Sequence, residues 1–206
     1  MHPSKLFRAP TKETNISFVR ERSFGALVVV DESKPLISHI PFQLSEDGAR
    51  LEAHLIASNS ILQTLNSPQK ATMIVSGGDA YVSPDWYGVD EQVPTWNYVA
   101  AHLTGVLRKL EPEDLRGVLE RLSKNLEDRL LPKPSWKLDK LSDQTFDKLS
   151  RQIVPVAMEI KQIEATWKLS QNKSKEVRAG AVAGMHDAPI GHNVLEICEL
   201  MGRELG

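Results

Sequence analysis

A single cysteine, Cys198, in 206 residues rules out an internal disulfide, so the fold does not depend on an oxidising compartment. No apolar run is long enough to cross a bilayer, and no charged-then-apolar leader opens the chain, which makes the cytoplasm the expected location. An excess of one charge is also missing. Lys and Arg number 25 against 27 Asp and Glu, a formal net charge of -2, which argues against strong direct binding to a phosphate backbone. There is no glycine-rich phosphate loop, Gly77-Gly78 being too short a match, and no Gly-x-Ser-x-Gly nucleophile elbow. Aromatic residues make up only 6% of the chain, yet Tyr81, Trp86, Tyr87, Trp96 and Tyr98 fall within one short stretch.

The residues present predict strands first and helices later. Met1 to Arg8 reads as a tied-down arm, followed by a short helix over Thr11 to Arg20. Phe24 to Val30 is a continuous β-branched run and predicts a buried strand. Leu36, Ser38, Ile40, Phe42 and Leu44 alternate toward a core, Ser45 to Gly48 signals a turn, and Leu51, Ala53, Leu55 and Ala57 alternate again, which together predict a hairpin. Pro41, lacking a ladder donor, puts its strand at an edge or at a bulge. Ala71 to Val75 predicts a strand interrupted at Gly77-Gly78 and resumed at Ala80 to Val82. A long strand region from Val93 to Leu110 bends at Gly105.

Pro112, Glu113 and Asp114 then open a helix whose apolar stripe is Leu115, Val118, Leu119, Leu122 and Leu126, and which Pro132 and Pro134 stop. Ser142 caps a second helix, Val154 to Ile160 forms the last strand with a bulge toward Ile163, and two short helices separated by His186 to Pro189 end the chain. In the last of them Cys198 packs on an apolar stripe with Leu195 and Met201. Strands followed by helices, with no strand–helix alternation, predict an α+β fold on an antiparallel barrel. No interior linker divides the chain, so one domain over 1–206 is expected, with barrel and packed helices at 1–172 and a helical tail at 173–206.

Three segments carry chemistry. Asp79 to Tyr98 is a loop-bearing stretch whose rings, with Ser83, Thr95 and Asn97, suit a planar and partly polar ligand; a subunit interface has the same composition. His39 and His54 lie opposite or one register step apart on the hairpin and suit an anion, a proton transfer or a metal. With His102 as the only further histidine in view and no Cys partner, zinc is poorly supported. Ser58-Asn59-Ser60 opens a short helix and reads either as a plain cap or as a phosphate contact. Trp167 to Asn172 ends a strand with one cation and three hydrogen-bonding side chains, and reads equally as a turn.

DAYVSPDWY, VPTWNY and KLSQN, in that order and preceded by SHIPF and AHLIASN, resemble the PaiB-type family of FMN-binding negative transcriptional regulators over nearly the whole chain. The resemblance implies a flavin-binding split β-barrel, akin to the pyridoxamine-phosphate oxidase fold, assembled as a homodimer with FMN at the interface. It implies that Ser38, His39 and Ile40 line the flavin and that His54, Ser58 and Asn59 approach its phosphate end. Trp96, Asn97 and Tyr98 would flank the ring system or close it from across the dimer, and Lys168, Gln171 and Asn172 would complete the site. Ala53 and Ser60 stand where the family often has Gly and Pro, the loop Gly88 to Gln92 is shorter than usual, and Lys173 stands where Arg is common.

A flavin-dependent regulator acting indirectly on transcription is the function the resemblance implies. Lys175, Arg178 and Arg203 in the tail are offset by Glu176, Asp187, Glu196, Glu199 and Glu204, a poor composition for major-groove reading. An FMN-dependent oxidoreductase using NAD(P)H is the alternative, resting on analogy of fold alone. A haem held by His39 or His54 ranks third.

Overall fold

The computed structural model describes residues 1–8 and 10–203. Helix α1 (Lys12–Arg22) leads into strand β1 (Phe24–Asp31), which forms a hairpin with β2 (Lys34–Leu44) that pairs Val28 with Ile37 and Phe24 with Pro41. The end of β2 then pairs with β3 (Arg50–Ile56), Phe42 facing Ala53 and Leu44 facing Leu51. The period-2 pattern sends Leu27, Val29, Phe42, Leu44, Leu51, Ala53 and Leu55 inward, where all are buried. Between β2 and β3, Asp47 Oδ1 accepts from Ser45 Oγ at 2.6 Å and from Ala49 N at 2.9 Å, while Gly48 adopts φ 73°, a conformation that favours glycine.

Helix α2 (Ser60–Thr64) precedes β4 (Gln69–Val82), and β5 (Thr95–Lys109) is followed by α3 (Leu115–Glu127), α4 (Asp143–Ser150) and β6 (Ile153–Lys168). Helix α5 (Lys175–Asp187), the two-residue strand β7 (Gly191–His192) and α6 (Val194–Gly202) complete the chain. The sheet order is β1-β2-β3-β6-β5-β4-β7, and a further β1–β4 pairing joins Ala26 to Ile74 and Val29 to Ala71. The antiparallel fold predicted from the strand pattern is present, and closure through β1 and β4 leaves neither strand as a bare edge.

The chain divides into two compact units. The first comprises Met1–Asn15, Ser76–His102 and the chain from Glu164 on; the second comprises Ile16–Val75 and Leu103–Ile163. In the second, α3 buries Leu115, Val118 and Leu122, each worth about 2 kcal/mol relative to exposure. Leu110, Val118 and Ala157 form one buried cluster. In the first unit the N-terminal arm is held by a bond from His2 N to Thr166 Oγ1 at 3.0 Å, as a tied-down arm requires. Among the described residues no helix is long and apolar enough to cross a membrane.

Several local expectations are corrected. β4 runs unbroken through Gly77-Gly78: a side chain at Gly78 would come within 2.8 Å of the Asn193 carbonyl oxygen, so the glycine serves a close approach rather than a break. β2 is an interior strand, and Pro41 is accommodated because it lies where β2 passes from its β1 partners to its β3 partners. β6 continues past Ile163 to Lys168, and β7 was not foreseen because two residues carry no period. His186 and Asp187 belong to α5 rather than to a separator, and Leu195 is exposed while Cys198 and Met201 are buried. In the α3 stripe Leu126 lies at the solvent end.

Candidate functional site

Six of the residues singled out from the sequence lie in the second unit, on β2, β3 and the start of α2. The register pairs Gln43 with Glu52 and Phe42 with Ala53. Continued by one position, it sets His54 beside Pro41, two residues along from His39, so both imidazoles project from the outer face of the hairpin. His39 is exposed and stacks on Phe24, with centroids 6.5 Å apart and planes at 27°. His54 is half-buried, and burial pushes its imidazole below the ordinary histidine range, so the ring is neutral near pH 7.

Two buried polar atoms on this outer face have no hydrogen-bond partner, His54 Nδ1 and Gln43 Oε1. Gln43 is a candidate that the sequence reading missed. Its position in the same alternating row as His39 and Pro41, facing Glu52, was the available signal. Glu52 itself is partly buried, which works against its charge, but hydrogen bonds from Arg121 Nε at 2.7 Å and Arg50 Nε at 2.9 Å outweigh that and hold its carboxyl below the usual range.

Ser38 and Ile40 belong to the opposite row of β2. Ile40 is buried in the core and offers a ligand only its backbone. Ser38 Oγ accepts from Asn59 Nδ2 at 2.7 Å, and Asn59 Oδ1 in turn accepts from Ile61 N at 3.0 Å, capping α2. A Ser–Asn corner therefore stands at the head of α2, with Ser58 exposed beside it.

The other six residues lie in the first unit. β5 alternates, sending Asn97 inward and Trp96 and Tyr98 outward. Trp96 is 45% exposed and meets Tyr81 edge to face at 6.4 Å, and Tyr81 meets Trp86 in the same manner at 6.4 Å. Trp86 packs on α5 where Gly180 and Gly184 leave room; a Cβ at Gly184 would lie 2.3 Å from its ring. Asn97 is fully buried: its Nδ2 donates to Ser170 Oγ at 3.0 Å and to Met201 Sδ at 3.2 Å. Tyr87 OH bonds the same Ser170 hydroxyl at 2.8 Å.

Gln171 braces its own turn, accepting from Leu169 N at 2.8 Å and donating to the Trp167 carbonyl. Lys168 Nζ donates to Thr95 Oγ1, and burial pushes its ammonium below the usual lysine range. Asn172 is exposed. Asn97 and Gln171 thus have their side chains committed to the protein, while Trp96, Tyr98, Lys168 and Asn172 present theirs outward or to a cavity. Among the described residues no three His, Cys, Asp or Glu side chains gather as a metal ion would need.

In the second unit, the unpartnered Gln43 and His54 atoms and the Ser38–Asn59 corner fit a ligand rich in hydrogen-bonding groups, as a flavin nucleotide is; in the first, the exposed rings suit a planar ligand. The protein named "Protease synthase and sporulation protein PAI 2" from Bacillus subtilis (strain 168) is 30% identical over 211 residues, covering 100% of this chain and 98% of its own. An uncharacterized protein of Emericella nidulans, AN0679, is 25% identical over 87% of this chain and 90% of its own.

Among solved structures, the FAD and haem binding protein from Mycobacterium smegmatis superposes with a TM-score of 0.58 at 14% identity, covering 89% of this chain and 81% of its own. The flavocytochrome Anf3 from Azotobacter vinelandii gives 0.57 at 13% identity, covering 93% and 80%. At such identities these two speak to the fold alone, which is the α+β split barrel. Residues 1–162 match the family described as "Putative FMN-binding domain". With that match and the full-length likeness to the Bacillus protein, the chain belongs to this FMN-binding family, and FMN is its cofactor.

Proposed function

We propose that the protein is a cytoplasmic, homodimeric FMN-binding regulator of the PaiB type, acting through the state of its flavin or of a bound ligand rather than by direct reading of DNA. The observation that carries this reading is the outer face of β2–β3, where Gln43 Oε1 and His54 Nδ1 are buried without partners. A buried acceptor left alone costs about 1–3 kcal/mol, so the pair favours a ligand that supplies N–H or O–H groups at that face. Bound FMN would supply electron and hydride transfer through its ring system.

In this reading His39 and His54 line the flavin, and Ser38, Ser58 and Asn59 hold its phosphate end. Ile40 contributes backbone. Trp96 and Tyr98 cover the rings of a flavin held by the second copy, and Asn97 orients them from inside β5. The homodimer is supported by one apolar outer face: Phe24, Val30, Ile37 and Ile56 are 54%, 60%, 59% and 61% exposed on adjoining strands. A groove of about 820 Å3 walled by Val28, Val30 and Val106, with Lys70 and Lys161, extends that surface.

The regulatory role rests on the resemblance to the PaiB-type regulators, which the likeness to the Bacillus sporulation protein supports. Indirect action is supported by α6, which carries Glu196 and Glu199 and no basic residue, and by the formal net charge of -2. The test is reconstitution. Purified protein should take up one FMN per chain and migrate as a dimer, and Trp96→Ala should weaken flavin binding or dimerisation. Protein that stays colourless and ignores added FMN would refute the flavin reading. Sustained NAD(P)H oxidation with an added acceptor would replace the regulator by an oxidoreductase.

A further inference from the structure

The turn after β6 builds a small cavity of about 150 Å3 in the first unit. Lys168, Lys173, Thr95, Ser170, Asn172 and Tyr87 all line it, and no described residue of its lining carries a carboxylate. Lys168 Nζ donates to Thr95 Oγ1, and Lys173 Nζ donates to the amide oxygen of Gln92. Both acceptors are neutral, so among the described residues no partner cancels either ammonium charge, and each keeps two further N–H donors. The Lys173 ammonium also lies 5.4 Å from the centroid of the Tyr87 ring, a geometry that steadies a cation without neutralising it.

The cavity is built rather than incidental. Ser170 adopts φ 57°, and its hydroxyl is held by Tyr87 OH at 2.8 Å and by Asn97 Nδ2 at 3.0 Å, all three residues being buried. The left-handed turn at Ser170 sets Lys168 and Lys173, five positions apart, on one cavity. Two cations lining so small a space repel one another, and no carboxylate among the described lining residues offsets that cost.

We propose that this cavity binds a small oxyanion, the carboxylate or phosphate group of a compact metabolite, between Lys168 and Lys173. Its volume lies well below the roughly 300–1,000 Å3 of sites for drug-sized ligands, so a flavin ring does not enter. Lys168 and Asn172 are thereby assigned to a second ligand rather than to the flavin, and the proposal stands or falls independently of FMN binding. Bound there, the anion bridges the turn after β6 to the Gln92–Thr95 segment, and so reads out on the start of β5, which carries Trp96.

Thermal melts of the purified protein, with and without FMN, test it with two probes, inorganic phosphate and propionate, against sodium chloride at matched ionic strength. At least one probe should raise the melting temperature of the wild type above the chloride control, and the probe that does so names the headgroup. Lys173→Gln and Lys168→Met should each weaken that probe by about tenfold or more, the worth of one charge-assisted hydrogen bond, while FMN affinity stays at the wild-type value. Lys173→Gln lies in a surface turn and keeps the test open should Lys168→Met fold poorly. The proposal is overturned if neither probe exceeds chloride, or if the shift survives both substitutions. It is also overturned if the variants lose FMN but keep riboflavin, which would make the lysines a flavin-phosphate site.

Discussion

Asn97 lies in the VPTWNY motif and so reads as a flavin contact, yet its side chain is fully buried and bound to Ser170 and Met201. Asn97→Ala separates the two roles. The substitution removes the exchange with the Ser170 hydroxyl, which accepts from Nδ2 at 3.0 Å and lies 3.3 Å from Oδ1, together worth about 1 kcal/mol net, and a weaker bond to the Met201 sulfur. It also leaves a carboxamide-sized void, adding about 1 kcal/mol. Ser170 keeps Tyr87 as a partner, so no hydroxyl is orphaned and the larger penalty of an unsatisfied buried group does not apply. The expected loss is about 2–3 kcal/mol. With a urea m-value of about 2 kcal/mol per M, the unfolding midpoint should fall by about 1 M.

Tryptophan fluorescence in urea, on apo protein at fixed concentration, measures the midpoint; flavin fluorescence quenching without denaturant measures FMN affinity of the folded protein. Asn97→Asp, the same shape with a buried charge, should be the worse of the two variants, because no cation bonds that position. An Asn97→Ala protein with an unshifted midpoint and lost FMN affinity would refute the assignment of Asn97 as an internal brace.

Three more outcomes follow from the same geometry. Burial lowers the His54 pKa in the folded state below its unfolded value of about 6.5, so the unfolded chain binds more protons and stability should fall as pH drops through that value. His54→Gln should flatten the slope of the urea midpoint between neutral and mildly acidic pH. It should leave the part owed to His102, whose pKa is lowered first by burial and then by the N-terminal ammonium. Gly105→Ala should cost about 3 kcal/mol, because its Cβ would lie 2.1 Å from the Glu159 carbonyl oxygen and force β5 from β6; a wild-type melting temperature would contradict that packing. Ile37→Lys, placing a charge on the exposed outer face of β2, should shift sedimentation toward monomer with secondary structure unchanged, and a dimer of undiminished affinity would move the interface elsewhere.

The hairpin was legible because its burial follows a period of two from Ile40 to Leu44 and again, past the turn, from Leu51 to Leu55, and α3 because Leu115, Val118 and Leu122 recur at helical spacing behind Pro112. Gly78 was misread for a physical reason: a glycine that permits close approach of α6 and one that breaks a strand look alike until the neighbour is known. Gln43 escaped notice because a glutamine on an outward row is ordinary in a sequence, and only burial makes its unsatisfied oxygen informative. Asn97 and Gln171 show the converse, their side chains being bonded within the protein, since a motif says which residues recur together but not whether their side chains face a ligand or each other.

By itself, then, the sequence determined the compartment-neutral chemistry of a chain with one cysteine, the strand-then-helix order, and through DAYVSPDWY, VPTWNY and KLSQN the family. Those are local or compositional properties, and local spacing is enough to encode them. The tertiary structure alone decided which of the aromatic-loop and KLSQN side chains are free to meet a ligand, because burial and hydrogen-bond partnership are set by residues up to 104 positions away. It also decided that Lys168 and Lys173 line one cavity, since the left-handed turn at Ser170 that aims them is held by Tyr87 and Asn97 from other strands and loops.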